Sequence, residues 1–301
     1  MFKNLVKTIS RPSWMKSQKY FKINLSRNVH FDQILSNKVV GILRKNTNNS
    51  LHYADSFEIY KTISKYYKIN LKNLTIGFGA TDLLYRITKI LDVKKFYITN
   101  PSFKMFEVYC KINSKKYENI NRSDIYSKNR KNSALYIVNP NGVDGSAYKI
   151  DRRILNLYKY VIIDEVYSDF YPKFSFLKIN NSKLIIVKSL SKSLGLAGLR
   201  VGFCKASTKV TKKIQSIRLS QVSNIYAEII VPKVISYTKT VIQRMNQSKK
   251  YLEKKYECKK SYSNYVLFKK KNKLTKKFGS RKILGFYRMA LTDLNTIKRY
   301  E

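Results

Sequence analysis

The chemistry open to this chain is concentrated in one run, Ser189-Leu190-Ser191-Lys192-Ser193-Leu194-Gly195-Leu196-Ala197-Gly198-Leu199-Arg200-Val201-Gly202. Two hydroxyls flank a lysine, and an arginine follows eight residues later in a stretch with little side-chain bulk. Hydroxyls, a guanidinium and exposed backbone N–H groups are what a phosphate dianion requires, and the glycines let the backbone approach closely. The GxxxxGKS/T spacing of a nucleotide-binding P-loop is absent. On this run alone, a mobile glycine-rich turn carrying one lysine among many stays open.

A second constellation lies 28 residues before Lys192: Asp164-Glu165-Val166-Tyr167, directly after the apolar run Tyr160–Ile163. Two acids ending a buried strand are costly unless paired. A cationic ring nitrogen would supply the partner; a helix cap or an internal ion pair with a nearby lysine is the alternative. A strand-end lysine, a strand-end acid, a phosphate nest and a neighbouring phenol together fit pyridoxal 5'-phosphate. The lysine would hold the aldehyde as a Schiff base, and the acid would keep the pyridine nitrogen protonated so that the ring accepts electrons. This chemistry needs no metal. Cys110, Cys204 and Cys258 form no CxxC pair and read as small buried hydrophobes, while His30 and His52, the only histidines, stand in no motif.

These residues need rigid elements to hold them. Four short apolar runs end in polar or Gly/Pro turns: Phe96–Thr99, Ala134–Val138, Tyr160–Ile163 and Leu184–Val187. Each predicts a buried strand. Between them, Thr81 or Asp82 is placed to cap a helix with Leu83, Leu84, Ile87, Ile90 and Leu91 on one stripe, and Phe103–Lys111 offers a shorter helix. Such alternation predicts an α/β fold with a mixed, mostly parallel sheet flanked by helices, and ligands beyond the carboxyl ends of the strands. After about Ile235 the pattern becomes a charged helix over Ile242–Lys255, strands at Tyr265–Phe268 and Phe286–Ala290, and a helix after Thr292. We expect an N-terminal segment at 1–45 contributing to the small domain and to dimer contacts, a large α/β domain at 46–235, and a small α+β domain at 236–301.

Composition bounds the partners. The 301 residues include 61 Lys+Arg against 18 Asp+Glu, a net charge of +43, with 44% hydrophobic residues and only 15 Gly plus Pro. Wholesale disorder and a collagen-like chain are excluded. The lysines are spread along the chain, with one dense run, Arg244–Lys282, holding 15 Lys/Arg and two Glu. A solvated basic surface and a selected anion-binding role are both compatible with this, and the second supports a distant alternative, a polyanion-binding protein derived from an enzyme. Lysines interrupt every apolar stretch of the first 21 residues, so no leader is read there, and no window reaches the length of a spanning helix. The expectation is a cytoplasmic protein without a membrane or nucleic-acid partner.

The same motifs resemble those of the fold-type I aminotransferases of the aspartate aminotransferase superfamily, most closely the histidinol-phosphate aminotransferase and threonine-phosphate decarboxylase branch. The matches run over about residues 23–301. The resemblance implies that Lys192 is the Schiff-base lysine and that Ser189, Ser191 and Arg200 contact the cofactor phosphate. DEVYSDF is similar to a family segment that makes Asp164 the partner of the pyridine nitrogen and Tyr167 a donor to the ring's phenolic oxygen. GFGATDLLY resembles the segment that assigns Gly79, Ala80 and Thr81 to the phosphate, and NPSFKMF the one that stacks Phe103 on the pyridine face. Tyr53 resembles the tyrosine that reaches the phosphate of the neighbouring subunit, which implies a homodimer. INLSRN resembles an N-terminal strand with a substrate-side asparagine, Asn28. SNYVLF and FYRMAL resemble strands that place Asn264 at the substrate and Arg288 on its α-carboxylate.

The implied activity is transfer of an amino group between an amino acid or phosphorylated amine and a 2-oxo acid, with a threonine-phosphate decarboxylase-like lyase as the alternative. One departure stands out. The family's NPNNPTG appears as Asn139-Pro140-Asn141-Gly142-Val143-Asp144-Gly145, so the asparagine expected to donate to the ring's phenolic oxygen is Gly142. Losing such a donor costs about 1.5–3 kcal/mol unless Asn141 or water replaces it.

Overall fold

The computed structural model describes residues 23–301; the N-terminal stretch read above for a leader lies outside the described residues. Seven strands form the main sheet: Leu74–Phe78 (β1), Phe96–Thr99 (β2), Tyr117–Ile120 (β3), Arg130–Val138 (β4), Tyr158–Asp164 (β5), Leu184–Ser189 (β6) and Val201–Lys205 (β7). Their order is β1-β7-β6-β5-β4-β2-β3. Neighbours from β3 to β6 run parallel, whereas β7 is antiparallel to both β6 and β1. This is the mixed, mostly parallel sheet the sequence predicts. The four expected runs lie in β2, β4, β5 and β6, which are covered on both faces and therefore read as near-continuous Val/Ile/Leu. Short β1 and β7 carry Gly77 and Gly202, and β3 alternates polar residues, so none of the three announces itself.

Side-chain alternation divides the sheet into two faces. Tyr136, Val138, Ile162, Ile185, Val187 and Cys204 pack on one, against Leu83, Leu84 and Ile87 of the helix Gly79–Ile90. Leu135, Ile137, Val161, Ile163, Leu184 and Ile186 pack on the other. Asp164 and Ser189 extend the first series beyond the strand ends, and Glu165 and Lys188 extend the second.

A second, antiparallel sheet joins Cys258–Lys259 (β8), Tyr265–Phe268 (β9), Arg281–Ile283 (β10) and Phe286–Ala290 (β11) in the order β10-β11-β9-β8. The helices Thr238–Lys255 and Leu294–Tyr300 accompany it. The N-terminal segment is sewn to this unit, for Leu25 N donates to Phe278 O at 2.9 Å and Leu25 O accepts from Ala290 N at 2.9 Å. Asp32 caps the helix Gln33–Arg44 and accepts two bonds from Arg244, at 2.6 and 2.9 Å. One contiguous apolar cluster connects Leu25, Ile59, Phe203, Val241 and Phe268.

Three local expectations are corrected. The helix Gly79–Ile90 is not capped by Thr81 or Asp82; Phe78 occupies the cap, and Asp82 turns back to accept the Phe78 N–H at 2.9 Å while pairing with Arg86. INLSRN is not a strand. The Asn24 side chain accepts from Ser26 N and Oγ, at 3.0 and 2.6 Å, and Asn28 adopts a left-handed φ of 57°, so local side-chain bonds outcompete a ladder. Cys110 and Cys204 are buried, but Cys258 is only partly so. Among the described residues, no helix is long and apolar enough to cross a membrane.

Candidate active site

The carboxyl ends of β5 and β6, the turn into β7 and the start of the helix Gly79–Ile90 converge with β9, β11 and the N-terminal segment. Ser189 ends β6 and caps the single helical turn Leu190–Ser193, accepting from Ser191 N at 3.2 Å, while its own hydroxyl donates to Val201 O at 3.1 Å. This turn aims Lys192 back towards the N-terminal segment, where its Nζ donates to Asn28 O at 2.8 Å. Burial, reinforced by the positive charges of Arg288 and Arg200, lowers the Lys192 amine to about 8, although Asp164 pulls the other way.

Asp164 is buried, accepting from Tyr136 OH at 2.8 Å and Val166 N at 3.2 Å. Burial raises its carboxyl to about 6, against the opposing hydrogen bonds and the Lys192 charge. A cation seated beside it would restore the ionised form. Glu165 points to the opposite face, where Ser175 Oγ and Phe176 N donate to it at 2.5 and 2.6 Å. The two adjacent acids therefore have separate environments.

Asn28 gathers the site. Its carbonyl accepts from both Lys192 Nζ and Asn264 Nδ2, the latter at 3.0 Å, and its Nδ2 donates to Tyr167 OH at 3.1 Å. Burial raises the Tyr167 phenol to about 12. Arg288 Nη1 donates to Gly142 O at 3.1 Å, but Arg288 Nε, Asn28 Oδ1 and Asn264 Oδ1 are buried with no protein partner. Unpaired buried groups of this kind carry a desolvation penalty that a ligand removes. A guanidinium edge left free suits a carboxylate.

The Gly142 departure also acquires a physical reading. A Cβ there would lie 2.6 Å from Tyr167 Cε2, so the phenol fills the space of a longer side chain. Asn141 does not stand in for the lost donor, because its Nδ2 is engaged with Pro101 O at 2.7 Å and its Oδ1 with Val143 N at 2.8 Å. Asn28 supplies the amide donor at this point, though to Tyr167.

Gly79, Ala80, Thr81 and Arg200 form an anion cradle. Gly79 has a φ of +78°, and a Cβ on it would come within 2.6 Å of Arg200 Nη2. Any side chain at Gly202 would overlap the backbone of Gly79 and Ala80. Arg200 adopts a left-handed φ of 54° and donates only to neutral oxygens, Ala197 O, Phe78 O and Thr81 Oγ1, at 3.3 to 3.4 Å. A guanidinium beside the free N–H groups of a helix start is suited to a phosphate. Ser191 is buried nearby in sequence to Ser189, and Phe103 is partly buried against the first-face core. Tyr53 stands apart, 88% exposed.

A family profile, Aminotransferase class I and II, matches residues 22–261. The chain belongs to the class I and II aminotransferases. This aminotransferase is 28% identical over 295 residues to a histidinol-phosphate aminotransferase of Clostridium novyi, covering 87% of this chain and 81% of that one. Its fold is similar to that of histidinol-phosphate aminotransferase from Sinorhizobium meliloti in complex with pyridoxal-5'-phosphate, with a TM-score of 0.72, 15% identity and coverage of 93% and 89% of the two chains. It is also similar to L-threonine-O-3-phosphate decarboxylase from Porphyromonas gingivalis, with a TM-score of 0.70, 18% identity and coverage of 88% and 95%. The cofactor of this aminotransferase is pyridoxal 5'-phosphate, and the fold is that of the fold-type I enzymes. The residues present fit the group: an anion cradle, a buried acid short of a cation, and an amine of lowered affinity for its proton.

Two contributors escaped sequence reading. Tyr136, stacked on Phe106 at 3.7 Å, donates to Asp164, yet within β4 it reads only as another apolar core residue. His30 is buried beside Gly195 with both ring nitrogens unpartnered, and burial lowers it to about 4, so it is neutral at ordinary pH.

Proposed function

We propose that Lys192 is the working amine of this enzyme, that it moves an amino group between an amino acid or phosphorylated amine and a 2-oxo acid in the manner of histidinol-phosphate aminotransferases, and that Asp164 and Tyr167 tune the cofactor. The observation that carries this reading is the position of Lys192: partly buried, lowered to about 8, donating to the Asn28 carbonyl, and under the charges of Asp164 and two guanidiniums. At pH 7.5 such an amine is roughly a quarter neutral, against about 0.1% for an exposed lysine.

Pyridoxal 5'-phosphate, when bound, supplies an aldehyde for amines and an electron sink for the adjacent carbon. Gly79, Ala80, Thr81, Ser189, Ser191 and Arg200 would hold its phosphate, Asp164 its ring nitrogen, Tyr167 its phenolic oxygen and Phe103 its ring face. The chain's own work is positional and acid–base. Arg288, with its free Nε, grips the substrate carboxylate, Asn28 and Asn264 orient the reacting end, and neutral Lys192 Nζ takes the proton from the substrate Cα.

The reading includes a cytoplasmic homodimer acting in biosynthesis, with domains dividing at about 45 and 235. Exposed Leu51, Tyr53 and Phe57, at 83%, 88% and 58%, support burial by a second copy, with Tyr53 reaching the neighbouring phosphate cradle. No nucleic-acid partner is invoked, since the Arg244–Lys282 run includes Arg244 and Lys249, both spent on internal bonds.

The test mixes apo protein with pyridoxal 5'-phosphate, follows bound-cofactor absorbance while glutamate or histidinol phosphate is added, and assays 2-oxo acid and carbon dioxide. Borohydride reduction followed by peptide mapping should mark Lys192. Consumption of the amine without carbon dioxide is expected. Release of carbon dioxide would favour the lyase, and labelling at another lysine would end the assignment.

A further inference from the structure

Directly behind the site residues, on the opposite face of the sheet, lies a buried charged cluster that takes no part in binding. Lys188 precedes Ser189 and is only 2% exposed. Its Nζ donates to Asp169 Oδ1 at 2.9 Å and to Ser168 Oγ, and sits 5.4 Å from the centre of the Tyr67 ring. The other oxygen of Asp169, Oδ2, accepts from Tyr67 OH at 3.0 Å. Glu165 feels the Lys188 charge while held by Ser175 and Phe176.

Residues around the cluster alternate along the chain with site residues. Glu165 follows Asp164, Ser168 follows Tyr167, Lys188 precedes Ser189 and Ser193 follows Lys192. Period-two alternation at the ends of β5 and β6 sends Asp164 and Ser189 forwards and Glu165 and Lys188 back. Tyr67, the last residue of the helix Phe57–Tyr67, comes from elsewhere in the chain, and its ring packs 4.6 Å from that of Phe203 on β7. From outside both segments it holds the loop after β5 through Asp169, while Lys188 ties that loop to the end of β6.

We propose that Lys188, Asp169 and Tyr67 are positioning residues, a rear staple that sets the register between the Asp164–Tyr167 segment and the Ser189–Lys192 turn. The inference rests on Lys192 and Asp164 being the working pair. Removing a member leaves the front-side groups chemically intact but shifts them relative to one another. Misplacement on the ångström scale in a preorganised site is expressed in the reaction step rather than in substrate capture. Of the substrate-side groups, Arg288 lies on β11 and Asn264 directly before β9, outside the segments the staple joins.

The experiment compares holoenzyme of wild type, Tyr67→Phe, Lys188→Met and Lys188→Arg, with rates normalised to bound cofactor and the absorbance maximum recorded. Tyr67→Phe, which deletes one oxygen, should lower kcat by about tenfold, and Lys188→Met by about a hundredfold, both with KM for the amino donor within about twofold. The absorbance maximum should move in both, and Lys188→Arg should recover most of the rate. Should Lys188→Met fail to fold, Tyr67→Phe decides. A kcat within about twofold of wild type in Tyr67→Phe at an unmoved maximum, or a loss carried entirely by KM, overturns the staple. Wild type that captures no cofactor overturns the functional reading and this inference with it; wild type that does, matched by its variants, overturns the staple alone.

Discussion

Lys192, partly buried, and Lys249, buried, both have amines lowered to about 8, yet their surroundings are opposite. Lys249, on the helix Thr238–Lys255, donates to Ser261 O at 3.1 Å and to Ser263 O, with Glu253 as its nearby counter-charge. It closes a loop. Lys192 has one carbonyl acceptor, two guanidiniums that repel its charge, and a carboxylate beyond them. Desolvation lowers both amines, but Lys249 is lowered against a nearby carboxylate while two guanidiniums push Lys192 down further. On the proposed reading, what sets Lys192 apart is not its midpoint but the bonding capacity left over and the charge gathered around it.

The sharpest way to break this comparison is substitution at both positions. Lys192→Ala should reduce amino transfer by at least about 10²–10⁴-fold, the usual worth of a positioned general base, whereas Lys249→Met should leave kcat per folded molecule within about twofold. Lys249→Met should instead lower stability by about 1–3 kcal/mol in urea melts, because two buried carbonyls lose their donor. Similar rate losses for the two variants would erase the distinction.

Asp164 sharpens it next. Its folded-state carboxyl, at about 6, lies above the ordinary 3.8, so the apo fold binds the proton more tightly than the unfolded chain. That contribution is complete below about pH 3.8 and is lost as pH rises through about 6. Asp164→Asn should accordingly make the apo protein more stable by about 1–3 kcal/mol at pH 8, with little difference at pH 4, while transfer activity falls. Melting curves at the two pH values check the sign.

Gly142→Asn tests the space Tyr167 occupies. The added Cβ would collide with the ring, and we expect a stability loss of about 1–3 kcal/mol from overpacking. A neutral outcome would show that the phenol moves freely. The smallest effect concerns Arg288→Gln. Removing that positive charge should raise the Lys192 midpoint, so cofactor capture by the apo chain, which needs the neutral amine, should slow at pH 7 and reach its plateau at higher pH. A stopped-flow pH series reads the shift; a midpoint moving down would contradict the assigned cause.

Much of this was legible in residue order because the key groups sit at strand ends. The buried runs that became β2, β4, β5 and β6 are apolar throughout, and the polar residues following β5 and β6 mark where a parallel sheet opens onto its ligand side. Asp164 and Ser189 stand at those ends, with Tyr167 and Lys192 in the turns that follow. Asn28 was read as part of a strand, since nothing in INLSRN reveals that Asn24 captures Ser26 and turns the chain. The helix start at Gly79 was misplaced because Thr81 and Asp82 are good caps in isolation, while the approach of Gly202 and Arg200 demanded a glycine two residues earlier. Tyr136 and Tyr67 were invisible because a buried tyrosine reads as apolar until its hydroxyl partner is known.

Order along the chain was enough to specify the chemical groups, their strand-end placement and the glycines that admit close backbone approach, since these follow from hydrophobic periodicity and local sterics. Only the folded chain decided which acid faces the lysine and which faces Lys188, that one asparagine carbonyl would hold both Lys192 and Asn264, and that a tyrosine would fill the place of a missing side chain. The asparagine's contacts join segments separated by more than 100 residues, the others join different strands or loops, and burial, which alters every charge among them, is a property of the assembled interior rather than of any segment.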